Sequence, residues 1–383
     1  MENESYIKRE YRYPNNRDAV FIFGAGASYP DGIPLQSDIL PIILSNRYSK
    51  IAKSKIGKVV IEFVKDNFNY NSKLKLFPSL EEIFGFMDFF INQNIDLDHK
   101  YTSNNISIIK ESLIKLIHYV ISYYSREIYD NFENQKVMYY MKFWDLVKEY
   151  NRNISIITLN YDTLLEESFG LLYPEYSVID YCIHLMNYEY PSGMDAFDWW
   201  DNPRESITVW GNGNPVPIKI MKIHGSLNWK YCETCHKVLL TPWNTDINLN
   251  IGTFIQHNYE LNKSYIYCCP VDKTVFKTLI MQPSHIKNFE NPIIKEIFNE
   301  AVLEVKNSKR IIFIGYSFPD ADIHIRAIFK KASIFDKEII IVDINNSENF
   351  KYKFSSLGKN INFIKSTFED LLDNKKLFAE LIS

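Results

Sequence analysis

Five short, largely apolar runs constrain the fold of this chain more than any other feature. They are AVFIFG at 19–24, ISIITL at 154–159, IKIMKI at 218–223, RIIFIG at 310–315 and KEIIIVDI at 337–344. Runs of this kind suit strands covered on both faces, and a helical pattern, DADIHIRAIFKKA, separates the last two. Alternation of such strands with helices predicts an α/β fold, a Rossmann-type parallel sheet with helices on both faces. Ligands of these sheets bind at the carboxyl ends of the strands.

Between the first two runs, from about residue 36 to 150, the pattern is mainly helical. Ile109, Leu113, Leu116, Ile117 and Val120 recur at helical spacing, and glycine is confined to Gly57 and Gly85. This stretch is expected to be a large helical insertion. With no internal repeat and no low-complexity linker, the units should interleave. We expect 1–45 to begin the Rossmann-type domain, 46–150 to form the insertion, and 151–230 to continue the domain. A small cysteine-containing module is expected at 231–278, and 279–383 should complete the domain.

Bulk properties exclude more than they select. A net charge of −4 gives no global pull toward nucleic acid or an anionic membrane. The basic cluster Arg47, Lys50, Lys53, Lys55 and Lys58 suits a solvated helix face. No apolar run approaches the roughly 20 residues of a membrane span, and MENESYIKREYRYPNN lacks the apolar core of a signal peptide. Four of the five cysteines fall in two close pairs, which suits a metal site in a reducing compartment. A cytoplasmic location is expected. With 26 Tyr and 26 Phe, large aromatic cores or subunit interfaces are expected too.

Four strand tips carry polar sequences: GAGAS at 24–28, TLNYD at 158–162, HGSLNW at 224–229 and GYSFPDAD at 315–322. Gly24 and Gly26 would let backbone amides, Ala25 among the residues of the turn, approach a pyrophosphate, and a helix N-terminus would add positive charge. Tyr29 stands where a dinucleotide dehydrogenase would place its third glycine. Ser28 could donate to a phosphate oxygen, and Asn160 could hold ribose hydroxyls or a water. Asp162 could hydrogen-bond a carboxamide or sit near a developing positive charge, or simply cap the following helix. His224 suits a general base near neutral pH. Asp320 is expected to cap the helix after GYSFP, and Asp322 with Arg326 to form a surface ion pair.

Taken in order, these motifs resemble the sirtuin fold, and more closely the bacterial sirtuin-like NAD hydrolases of anti-phage defence. The matching positions are Gly24 to Ser28, Gly32-Ile33-Pro34, Thr158 to Asp162, His224-Gly225, the cysteines and Gly315-Tyr316-Ser317. The resemblance implies Asn160, His224 and Asp162 as catalytic residues. It implies Gly24, Ala25, Gly26, Ser28, Gly315, Ser317 and Asn345 as NAD+ contacts. It implies zinc on Cys232, Cys235, Cys268 and Cys269; because adjacent cysteines rarely both ligate one metal, Cys268, Asp272 or His236 could complete the set, or the cysteines could form a core cluster without metal. Cys182 is expected to be a buried hydrophobe.

Two departures matter. A deacylating sirtuin follows GIP with D-F-R, whose phenylalanine shields the reactive ribose carbon from water; here Leu35-Gln36-Ser37 stands in its place. The F-G-E element of the peptide-pairing strand is also missing, since Phe289-Glu290 lacks the glycine. Both point to an NAD+ glycohydrolase, releasing nicotinamide and ADP-ribose, that depletes NAD in anti-phage defence. The alternatives are a protein deacylase or ADP-ribosyltransferase, and a non-catalytic NAD or ADP-ribose-binding subunit. A homo-oligomer is expected, with the aromatic-rich helical insertion as the candidate for self-association, and the resemblance implies a HerA-like ATPase as a candidate partner.

Overall fold

The computed structural model describes residues 6–9, 13–45, 49–71, 73–132, 138–172, 177–186, 207–210, 216–241, 245–258, 261–265, 268–284 and 291–383. Phe289 and Glu290 lie outside them.

The core is a sheet of seven strands, β1 (Arg17–Phe23), β2 (Ile154–Thr158), β3 (Ser177–Asp180), β4 (Val216–Lys222), β5 (Ser308–Ile314), β6 (Glu338–Asp343) and β7 (Asn360–Lys365). Their spatial order is β7-β6-β5-β1-β2-β4-β3, and every pairing is parallel. All five apolar runs became strands of this sheet. The two that sequence did not reveal are its edges. β7, NINFIK, alternates between exposed and half-buried positions, so it shows no continuous apolar run.

Helices cover both faces. On one, Phe21 and Phe23 each meet Phe143 edge-on with ring centroids 5.2 Å apart, within an aromatic cluster that includes Phe368 and Phe378. Such pairs add stabilisation beyond area burial, and they account for part of the expected aromatic core.

Between β1 and β2 come six helices that matter here: α1 (Ala25–Ser28), α2 (Gln36–Leu44), α3 (Lys55–Asn67), α4 (Leu80–Gln93), α5 (Ser103–Phe132) and α6 (Tyr139–Tyr150). The stops and starts are local chemistry. Ser54 and Ser79 accept from the amides of Gly57 and Glu82 at the beginnings of α3 and α4, and Asn94 closes α4 in the left-handed conformation. The five apolar residues singled out on α5 are all buried. Lys50, Lys53, Lys55 and Lys58 are exposed, as a solvated face requires.

After β2 and its helix α7 (Leu164–Leu172), the chain lays β3 and β4 on the same side of β1. It then crosses to the other side for α8 (Pro292–Lys306), β5, α9 (Ile323–Lys331), β6 and β7. The order therefore reverses between β1 and β5, which is where such sheets open a crevice at their carboxyl ends. A second, four-stranded sheet (Lys277–Ile280, Gly225–Tyr231, Val238–Leu240, Leu185–Met186) extends from the tip of β4.

Candidate active site

The tips of β5, β1, β2 and β4 lie side by side. The β1 and β5 tips interlock through backbone alone. The Gly24 amide donates to the Ile314 carbonyl at 3.0 Å, and the Gly26 amide to the Gly315 carbonyl at 2.9 Å. A β-carbon on Gly24 would stand 2.5 Å from the Gly315 oxygen, and one on Gly26 2.8 Å from the Gly315 α-carbon. Packing of one tip on the other therefore explains these glycines. Their amides are already engaged, and α1 is only four residues long.

Behind this turn lies a closed hydrogen-bond network. The Ser28 hydroxyl donates to Asp162 Oδ2 at 2.9 Å and accepts from Asn160 Nδ2 at 2.9 Å. Its proton being spent, its 2.9 Å contact with the Tyr140 hydroxyl is one in which Tyr140 donates. Ser28 thus has its donor and both lone pairs used inside the protein, and it orients Asn160 and Asp162. Asn160 Nδ2 also donates to the Gly24 carbonyl at 3.0 Å, which settles the orientation of the amide. Its oxygen Oδ1 is then the group it can present to the cleft.

Asp162 serves both readings at once. Its Oδ1 accepts from the Leu164 amide at the start of α7, as a capping residue does, while Oδ2 faces Ser28. Burial raises its pKa above the ordinary carboxylate value, opposed by the positive charge of Lys222. Lys222 is itself fully buried on β4; its ammonium donates to the Asp162 carbonyl at 2.6 Å and lies 2.8 Å from Glu166 Oε1. The Glu166 contact is an ion pair by distance and lacks the alignment of a good hydrogen bond. Burial raises the Glu166 pKa as well.

His224 stands at the tip of β4. Its Nδ1 lies 3.2 Å from the Leu159 carbonyl, which can only accept, so Nδ1 carries a proton. Nε2 lies 2.8 Å from His324 Nε2 and 3.8 Å from Asp322 Oδ1. Asp322 Oδ2 accepts from the Tyr316 hydroxyl at 2.8 Å. The expected surface role of Asp322 is corrected: it is buried at the start of α9 and turned inward. Asp320 does not cap that helix; it is exposed, 3.9 Å from Lys353, and Asp322 occupies the capping position.

The cleft is lined by Ala25, Ser28, Asn160, Asp162 and His224 on the strand-tip side. Leu80 of α4 and Ile117 and Ile121 of α5 form part of the opposite wall, so the insertion helps to build the site. It encloses about 60 Å³, room for roughly four waters, where a ligand pocket typically needs several hundred Å³.

Of the other expected contacts, Gly315 has φ +59° and shapes the β1–β5 junction. Ser317 and Asn345 are exposed at the ends of β5 and β6, and the Asn345 side chain accepts from the Ser347 amide. Sequence reasoning missed Tyr140, Lys222, Glu166 and His324. A lysine inside an otherwise apolar strand was the available signal for Lys222; Tyr140 and His324 sit in helical patterns that give none.

Two turns at the far end of the small sheet repeat one another. The Cys232 amide donates to the Lys237 carbonyl and the His236 amide to that of Cys232; the Cys269 amide donates to Thr274 and the Lys273 amide to Cys269. His236 and Lys273, the equivalent fifth residues, both have positive φ. The ligand atoms of Cys232, Cys235, Cys269 and Asp272 all lie within 4.8 Å of one another. Cys268 is outside this group, because it is paired with Val275 in an isolated bridge and extended neighbours project to opposite sides. Cys182 is fully buried, as a hydrophobe would be.

The sheet order and its switch-point crevice define a Rossmann-type α/β protein. Within it, residues 154–342 match the family model described as a SIR2-like domain. That stretch includes Asn160, Asp162, His224, the cysteine turns and Gly315. Among solved structures the chain is similar to a Sir2 homologue–NAD complex, at 10% identity over 96% of this chain and 92% of that one, with a TM-score of 0.45. It is also similar to a mutant Sir2 homologue in complex with ADP-ribose (10%, 96% and 93%, TM-score 0.43) and to Sir2Tm bound to a propionylated peptide (12%, 94% and 94%, TM-score 0.35). Comparison with curated proteins found no match.

Proposed function

We propose that this chain is an NAD+ glycohydrolase that cleaves the bond between nicotinamide and ribose. The observation that carries the reading is the pairing, in one cleft, of an amide locked as a hydrogen-bond acceptor with an imidazole held in the Nδ1–H form. In the reaction the bond from the ribose carbon to nicotinamide breaks and a bond to water oxygen forms. Asn160 Oδ1 would accept from the attacking water or a ribose hydroxyl and so orient it. His224 Nε2 would take the proton that water loses. Asp162, next to Ser28 at the back of the cleft, would favour the positive charge that develops on the ribose in whatever fraction is ionised. The absence of a phenylalanine after Pro34, where Leu35-Gln36-Ser37 stands, favours water as the acceptor.

Cys232, Cys235, Cys269 and Asp272 fit a structural zinc ion, three thiolates and a carboxylate on two equivalent turns. Depletion of NAD in anti-phage defence is the role that the resemblance gives such an activity.

The test is nicotinamide release from NAD+, with and without an acetylated peptide, for wild type, Asn160→Ala and His224→Ala. Release without peptide, lowered about 100-fold or more in both variants, is expected. Release that demands peptide would make the chain a deacylase, and undiminished release in both variants would refute these roles.

A further inference from the structure

We propose that His224, His324 and Asp322 form a binding site for a divalent transition-metal ion, and that filling it withholds the His224 base. The second clause rests on the reading of His224 given above; the first does not.

The three groups come from two rigid elements, the tip of β4 and the first turn of α9, and all are buried. Their ligand atoms lie within 4.8 Å of one another. A tetrahedral ion with bonds of about 2.0–2.2 Å holds its ligand atoms about 3.4 Å apart. The observed 2.8 Å between the two Nε2 atoms and 3.8 Å from His224 Nε2 to Asp322 Oδ1 bracket that value. The outer contacts orient the set. The Leu159 carbonyl accepts from His224 Nδ1–H, which turns Nε2 toward His324, and the Tyr316 hydroxyl donates to Asp322 Oδ2, leaving Oδ1 on the histidine side. Two imidazole nitrogens at 2.8 Å need a shared proton or a cation between them. Two nitrogens and one carboxylate suit zinc, cobalt or nickel and disfavour magnesium and calcium. Three protein ligands leave a fourth position open.

The experiment loads the full chain with excess Zn2+ or Co2+, removes unbound metal, and counts ions per chain for wild type, Asp322→Asn, His324→Gln and His324→Ala. Circular dichroism identifies the variants that fold, and thiolate-to-cobalt absorption reports the cysteine turns separately. Wild type is expected to hold one ion per chain more than each folded variant, with the thiolate absorption unchanged. Equal counts overturn the proposal and leave a histidine pair sharing a proton. Added Zn2+ should also lower wild-type nicotinamide release at least tenfold, reversibly by chelation. If chelated wild type releases none, the hydrolase reading fails while the ion count still decides the site.

Discussion

The buried Lys222–Glu166 pair beneath the cleft offers a demanding test of the electrostatic reasoning. Lys222→Met keeps the length of the side chain and deletes its charge. At 2.8 Å the attraction is about 6 kcal/mol for an effective dielectric of 20, set against the cost of burying both ions. Removing one partner strands the other, and Glu166 has no exposed side-chain surface on which to find water. The expected loss is therefore about 3–5 kcal/mol. Lys222→Met/Glu166→Leu removes both charges and should recover most of it. Urea unfolding of the wild type, both single variants and the double variant gives the coupling directly. The pH dependence has a definite sign. Burial already raises the Glu166 pKa, and without Lys222 it rises further. Between the unfolded and folded values the native state then binds more protons, so stability falls as pH rises through that window. The Lys222→Met penalty should be smaller near about pH 5 than near about pH 8. A single-variant cost below about 1 kcal/mol, or a double variant no better than the single, would refute the argument.

Gly315→Ala should cost about 3 kcal/mol or more, because it adds left-handed strain to a β-carbon 2.5 Å from the Ala27 nitrogen and the Gly26 carbonyl carbon. Gly85→Ala, a helical position with nothing within 4 Å, should instead stabilise by up to about 1 kcal/mol, and equal thermal shifts for the two would contradict this account. For Glu304, burial would raise the pKa, but Lys219 at 2.8 Å and Arg17 at 2.7 Å outweigh it and lower the value. Its stabilisation is present above the unfolded carboxylate range and lost as pH falls through the folded pKa. Glu304→Gln should cost about 2–3 kcal/mol near neutrality and far less near about pH 3; a cost independent of pH would count against the pair.

The central strands were legible because burial on both faces leaves no polar alternation to hide them, as at Val20 to Phe23 and Ile311 to Ile314. The edge β7 was not, because partial exposure mixes its composition, and β3 was not, because it is only four residues long and ends in the buried carboxylate Asp180. The polar tips were legible because Asn160 and His224 end apolar runs where packing gives them no reason to be. What sequence does not carry is direction. Ser28 suggested a phosphate donor, yet Tyr140, 112 residues away, and Asp162 absorb its hydroxyl. Asp322 and Arg326 have the spacing of a surface pair, but the turn after Gly315 points the carboxylate at Tyr316 instead. Asp272 was legible as a candidate beside His236 and Cys268, and the choice among them comes from backbone shape, because its turn repeats the Cys232 turn.

Because Gly24 and Ser28 take both protons of the Asn160 amide, the cleft meets that residue as a one-way port. An atom that arrives with a hydrogen, from water or a sugar alcohol, is admitted. A bare ether, phosphate or carboxylate oxygen would set lone pair against lone pair and be turned away. Flipping the amide would invert the rule, but the Gly24 carbonyl forbids the flip. Chemical discrimination at this point is thus fixed by a backbone oxygen on a different strand, 136 residues earlier in the chain.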